Sequence, residues 1–134
     1  MDDCQFLRSL EDCSLTPAEF SHKAHVRAGY LYLMRERDFA AALQKLRGAI
    51  EHFATFHGAD GKYHETVTVA YLAAIHERLA EDGLDESSTW DDFSSRHPEL
   101  FEKSFLLRYY SPETLSTPLA RKVFVLEPRA GAPI

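Results

Sequence analysis

The sequence predicts an all-α protein in which three long antiparallel helices form a bundle-like core. Three observations support this fold class. Apolar residues recur at helical spacing over residues 17–36, 39–57 and 63–82. Signals that end and restart helices, such as Asp38 and the Gly-rich turn at residues 58–61, separate these stretches. The links between the stretches are short, and short links favour antiparallel neighbours.

The N-terminal part of the chain predicts a short helix followed by the first long one. Residues 3–12 have one apolar side that could pack on the bundle. Residues 14–17 end this helix, and Pro17 suits the first turn of the helix over 17–36. Two histidines lie on the apolar stripe of that long helix, so both are expected to face inward.

The C-terminal part predicts short helices and an irregular tail. A polar loop at residues 81–88 follows the third long helix. Ser111 and Thr117 each precede a proline and can cap a short helix. Residues 123–126 should be extended, because they are β-branched and aromatic or aliphatic, and residues 127–134 should form a frayed tail.

Composition and charge exclude several classes of protein. With 134 residues, 45% of them hydrophobic and 27% charged, the chain is expected to form a single domain over residues 1–134. The net charge of −6, without a block rich in lysine and arginine, argues against nucleic acid or an anionic membrane as a partner. No signal peptide or membrane-spanning run is evident, so a cytoplasmic location is expected. Cys4 and Cys13 are then expected to remain thiols.

Four of the seven histidines fall at helix ends that the antiparallel arrangement places at one end of the bundle: His22, His25, His57 and His64. His22 and His25 are three residues apart on one helical face, where they can hold one ion. Imidazole ligands suit zinc, iron, copper or nickel. The sequence therefore predicts a transition-metal site with His22, His25 and His64 as ligands. His57 would be a fourth ligand or would orient one of the others.

The Tyr-His-Glu-Thr motif at residues 63–66 adds candidate catalytic groups to this site. Glu65 could be a metal ligand or a general base, and the adjacent Tyr63 is a second candidate catalytic residue. A small-molecule substrate would enter at the same end, between Tyr63 and Tyr109 or Tyr110. The leading hypothesis is thus a metal-binding protein, with a metal-dependent enzyme as one form of it.

Two alternatives need no metal. One is an acid–base site formed by His64 and Glu65 alone. The other is a non-enzymatic protein-interaction module in which the histidines are structural. In that case Tyr30, Leu31 and Met34 would form an exposed apolar patch, which could also seat a homodimer.

The remaining notable residues are expected to be structural or to lie on the surface. His52 and His76 lie off the apolar stripes of their helices, and His97 precedes a proline at a helix boundary. The Arg-Tyr-Tyr-Ser segment at residues 108–111 could line a pocket, but packing is its simpler role.

The motifs also carry a resemblance. Phe-x-His-x-x-His at residues 20–25 and Tyr-His-Glu-Thr at 63–66, with Tyr-Tyr-Ser at 109–111, resemble a family of small, uncharacterised, all-helical bacterial proteins. The resemblance implies a shared histidine-bearing helical domain and indicates no substrate. Residues 28–50 more weakly resemble a tetratricopeptide-like helical hairpin. A solenoid needs about three such repeats, and the sequence does not supply them.

Overall fold

A computed structural model describes residues 1–83 and 88–128 of the chain, and these are all-α, as the sequence predicts. The described part contains seven α-helices and three single-turn 3₁₀ helices, and no strand. The α-helices are α1 (Asp3–Glu11), α2 (His22–Glu36), α3 (Phe39–Phe56), α4 (Glu65–Asp82), α5 (Trp90–Arg96), α6 (Pro112–Leu115) and α7 (Pro118–Lys122). The 3₁₀ helices are Asp60–Lys62, Pro98–Phe101 and Phe105–Arg108.

The three long helices α2, α3 and α4 contain 15, 18 and 18 residues and pack against one another. Asp38 caps α3, because its carboxylate accepts a hydrogen bond from the Ala41 N–H at 2.8 Å. Ser111 and Thr117 cap α6 and α7 in the same way, as the sequence predicts. No helix in the described part of the chain is long and apolar enough to cross a membrane.

The first long helix begins at His22, five residues later than expected, because the preceding residues form a separate turn. Thr16 and Glu19 exchange hydrogen bonds between side chain and backbone, at 2.9 and 3.2 Å, which closes one turn around Pro17. The Ser21 hydroxyl then accepts from the Ala24 N–H and caps α2. The prediction that Pro17 starts the long helix is therefore wrong, and His22 lies at the very start of α2.

Helix α2 is central because it packs on two sides. One side lies against α3 and α4, and the other side lies under α1 and α5. Tyr30 and Leu31 are buried, with exposed fractions of 2% and 8%, and Tyr30 packs on the rings of Trp90 and Phe93. The surface patch that an interaction module would need at Tyr30, Leu31 and Met34 is thus largely covered.

The chain after α7 runs extended along α4. The Thr66 hydroxyl donates to the Val123 carbonyl oxygen at 2.9 Å and accepts from the Val125 N–H at 3.1 Å. The Tyr110 hydroxyl donates to the Val125 carbonyl oxygen at 2.6 Å. The Glu127 carboxylate accepts from the Ser111 N–H at 2.5 Å, so the predicted tail is held at its first residue. Residues 129–134 of that tail and loop residues 84–87 lie outside the described residues.

Candidate functional site

A cavity of about 330 Å³ lies between α2, α3 and α4, at the end of the bundle where α2 begins. Its walls are mostly apolar, and the residues that form them are Val26, Leu46, Ile50, Val67, Leu72 and Ile75. Four residues with polar side chains complete the lining: His22, His25, Thr68 and Tyr71. The volume lies at the lower end of the roughly 300–1,000 Å³ typical of small-molecule sites.

Gly29 helps to keep this cavity open. It lines the cavity from the middle of α2, where a Cβ atom would lie 3.0 Å from Ile75 Cδ1 and 3.3 Å from Leu72 Cδ1. Any side chain here would push on the two opposing residues of α4. The glycine therefore leaves space for the ends of the Ile75 and Leu72 side chains.

His25 is held in one tautomer by the backbone. Its Nδ1 lies 2.8 Å from the Ser21 carbonyl oxygen, which can only accept, so Nδ1 carries the proton. The ring stacks on Phe20 with centroids 3.7 Å apart. Burial lowers the pKa of His25, which favours the neutral ring. Nε2 therefore keeps a lone pair, and no other hydrogen bond in the described part of the chain uses it.

His22 is held in the same manner through its other nitrogen. Nε2 donates to the Leu100 carbonyl oxygen at 3.0 Å, which leaves Nδ1 as the nitrogen with the lone pair. The ring contacts Tyr71 edge-on, with centroids 5.0 Å apart. His22 is exposed, so it lies at the mouth of the cavity rather than facing inward as expected. The structure thus brings His22 and His25 together at one cavity, each with a free ring nitrogen.

His57 and His64 lie at the helix ends that the sequence predicts, but neither lines this cavity. His57 Nε2 donates to the Cys13 carbonyl oxygen at 3.1 Å. His64 is the N-cap of α4, and its Nδ1 accepts from the Val67 N–H at 3.2 Å. Its Nε2 donates to the Leu115 carbonyl oxygen at 2.7 Å, so both nitrogens of His64 have partners. These two imidazoles join peripheral segments to the long helices.

The four histidines predicted as metal ligands are not grouped around one point in the described part of the chain. Among residues 1–83 and 88–128, no three or more His, Cys, Asp or Glu residues are grouped so that they could hold one metal ion. The set of His22, His25, His64 and His57 as ligands stays a prediction. Of that set, the pair His22 and His25 combines a free ring nitrogen on each residue with a position in the cavity lining.

Glu65 and Tyr63, the predicted catalytic residues, form an ion-pair network with Arg47. The Glu65 carboxylate accepts from Arg47 Nε at 3.0 Å, from Arg47 Nη2 at 2.6 Å and from the Tyr63 hydroxyl at 2.6 Å. The bidentate bond from Arg47 holds the pKa of Glu65 below its usual range. Burial, and then the bond to Glu65, raises the pKa of Tyr63. A carboxylate satisfied in this way is a weak proton acceptor, and neither residue lines the cavity.

The other residues considered in the sequence have simple surroundings. His52 is exposed, His76 packs on the ring of Phe39, and His97 Nε2 lies 2.8 Å from an Asp82 carboxylate oxygen. Both cysteines are free thiols, of which one is buried. Of the segment at residues 108–111, Tyr110 is buried and bonds the extended tail, while Tyr109 is half-exposed.

Sequence reasoning missed the role of α4 in the cavity. Thr68 and Tyr71 belong to a core-facing stripe with Ile75, and two polar residues on such a stripe were the available signal. The sequence contains no signal that Arg47 pairs with Glu65, because the two residues are 18 positions apart and lie on different helices. Pairing of this kind depends on how two helices are rotated against each other.

Comparison with known proteins gives no independent guide to the chemistry. No family model, no curated protein and no solved structure matches this chain.

Proposed function

We propose that this protein binds a small, largely apolar molecule in the cavity between α2, α3 and α4. The observation that carries the proposal is the composition of the cavity: apolar walls with two imidazoles in the lining, of which His22 lies at the mouth. Few polar groups in an apolar concavity are typical of sites that bind the body of a ligand by burial and orient it by hydrogen bonds. If the bound molecule is a substrate, the imidazoles are the groups placed to exchange protons with it.

The covered face of α2 favours this proposal over an interaction module. An interaction surface there would require Tyr30 and Leu31 to be exposed, and α1 and α5 pack over them instead. The end of the bundle that carries the histidines contains the cavity. The part of the surface that an interaction module would use is covered, and the histidine end of the bundle offers a cavity for a small molecule instead.

Filling the cavity tests the proposal. Val67→Phe places a ring among the lining residues, whereas Val69→Phe adds the same ring on the same helix at a residue that does not line the cavity. A fragment library is screened against the native protein by saturation-transfer NMR. Fragments that bind should lose at least about tenfold in affinity on Val67→Phe, which corresponds to about 1.4 kcal/mol, and should bind Val69→Phe normally. Equal binding by both variants, or no fragment bound by the native protein, would refute the proposal.

A metal ion held by His22 and His25 is a second candidate, favoured by the free nitrogen that each ring keeps. Each ring already donates its other N–H to a backbone carbonyl oxygen, an arrangement that orients metal-binding histidines in general. Two imidazoles leave positions open for water or for a bound molecule. Zinc, copper, nickel and iron all accept such ligands.

Elemental analysis after dialysis against each metal tests this candidate. His22→Ala and His25→Ala should each abolish near-stoichiometric metal, whereas His52→Ala should retain it, because His52 is exposed on α3 away from the cavity. His64→Ala distinguishes a site formed by His22 and His25 alone from a site that also includes His64. Retention of metal by this variant supports the pair, and loss of metal supports the three-histidine site predicted from the sequence. No metal in the native protein excludes both.

A further inference from the structure

We infer that the cavity selects a ligand whose polar group donates hydrogen bonds, an amine or a hydroxyl compound, and that it discriminates against carboxylates and phosphates. This inference rests on the proposed small-molecule function and specifies the class of molecule. It follows from a count of the protons that the lining side chains can still give.

Both imidazoles present acceptors. His22 gives its N–H to Leu100 and His25 gives its N–H to Ser21, so the tautomer that each bond selects leaves a lone pair on the other ring nitrogen. A ligand group placed between them must therefore bring the hydrogen atoms. A carboxylate, which has only acceptors, would meet two lone pairs and no proton.

The other two polar lining residues, Thr68 and Tyr71, do not change this excess of hydrogen-bond acceptors. The Thr68 hydroxyl donates to the His64 carbonyl oxygen at 2.8 Å, so it too remains an acceptor. Among the side chains that line the cavity, Tyr71 alone keeps a proton to donate, and its hydroxyl can also accept. No arginine or lysine is among the lining residues. Acceptors therefore outnumber donors by three to one, with Tyr71 counted as the donor.

Electrostatic interactions also disfavour the binding of an anion in this cavity. An anion that enters an apolar cavity loses its hydration, and no arginine or lysine lines this cavity to compensate for that loss. A primary ammonium group has three protons for His22, His25 and Thr68, and the ring of Tyr71 can add a cation–π contact. Because His22 is exposed at the mouth, such a group can stay partly hydrated while the apolar body is buried. The net charge of −6 also favours the approach of cations.

Three probes with one ring and different polar groups test the inference: benzylamine, benzyl alcohol and benzoate. Their affinities are measured on the native protein by chemical-shift titration at neutral pH. Benzylamine and benzyl alcohol should bind at least about tenfold more tightly than benzoate, since each lost hydrogen bond costs about threefold to tenfold. Benzoate binding as tightly as benzylamine, or more tightly, would overturn the inference and leave the proposed function standing. If no probe binds, both fail.

Two variants identify the acceptors. His25→Phe keeps a flat ring that can stack on Phe20 but removes both nitrogens, and His22→Phe does the same beside Tyr71. Each should weaken benzylamine binding by about threefold to tenfold and change benzoate binding little or improve it. His52→Phe is the matched control, because the same change is made at an exposed residue outside the cavity. Unchanged preference for benzylamine over benzoate in both cavity variants would overturn the assignment. The melting temperature of each variant shows that it is folded.

Discussion

Replacing Gly29 by alanine tests whether the wall of the cavity can move. In the interior of a helix, alanine is favoured over glycine by about 1 kcal/mol of unfolding free energy. At this position the new Cβ would lie 3.0 Å from Ile75 Cδ1 and 3.3 Å from Leu72 Cδ1. Both atoms are ends of flexible side chains that also line the cavity, so they have free space into which to move. We expect Gly29→Ala to stabilise the protein by about 0.5 kcal/mol, or to be neutral, rather than to show the roughly 1–3 kcal/mol cost of overpacking.

Gly48→Ala is the matched control for this experiment. Gly48 lies within α3, and a Cβ atom there would meet nothing within 4 Å. This variant should gain the full helix preference, a rise in melting temperature of about 2–5 °C for a chain of this size. The difference in unfolding free energy between the two variants, measured by urea denaturation, isolates the contact with α4. If Gly29→Ala is less stable than Gly48→Ala by more than about 2 kcal/mol, the wall is rigid and the reasoning is refuted.

Two further predictions concern the groups that join the helices. Arg47→Met should cost about 1–2 kcal/mol at neutral pH, a modest value because the Arg47 side chain is 37% exposed. The folded state lowers the pKa of Glu65, so its contribution is present above the ordinary value of 4.5 and is lost as the pH falls through the lowered pKa. The difference in unfolding free energy between native protein and Arg47→Met should therefore shrink in acid, and a constant difference would contradict the assignment. His64→Ala should cost about 1–3 kcal/mol, because it removes the cap of α4 and the bond to the Leu115 carbonyl oxygen, whereas His64→Asn should recover the cap. Equal melting temperatures for the two variants would show that the cap contributes nothing.

The sequence is a good guide to the helices because the signals that form them are local. Apolar spacing and the caps at Asp38, Ser111 and Thr117 involve residues within a few positions of one another. The predicted start of α2 is wrong by five residues, and the reason is also local. Thr16 begins a separate turn, and a proline after a capping residue predicts a turn and a helix start equally well.

The site was harder to predict because its decisive contacts are distant in the sequence. The histidines do fall at helix ends, but the partners of His22, His57 and His64 are backbone carbonyl oxygens 78, 44 and 51 residues away. Backbone carbonyls carry no signature in the amino-acid sequence. A histidine that joins two segments therefore has the same sequence pattern as one that binds a ligand. Only the orientation of the ring in the structure distinguishes the two roles.

The tautomers of His22 and His25 are the most direct test of the proposed ligand site, because the acceptors of the cavity depend on them. Long-range proton–nitrogen NMR of the histidine rings at neutral pH identifies which nitrogen carries the proton. We predict the Nε2–H form for His22 and the Nδ1–H form for His25, and addition of benzylamine should shift His22 Nδ1 and His25 Nε2. If His25 carries its proton on Nε2, or on both nitrogens, the cavity presents donors, and the account of how it recognises a ligand is wrong.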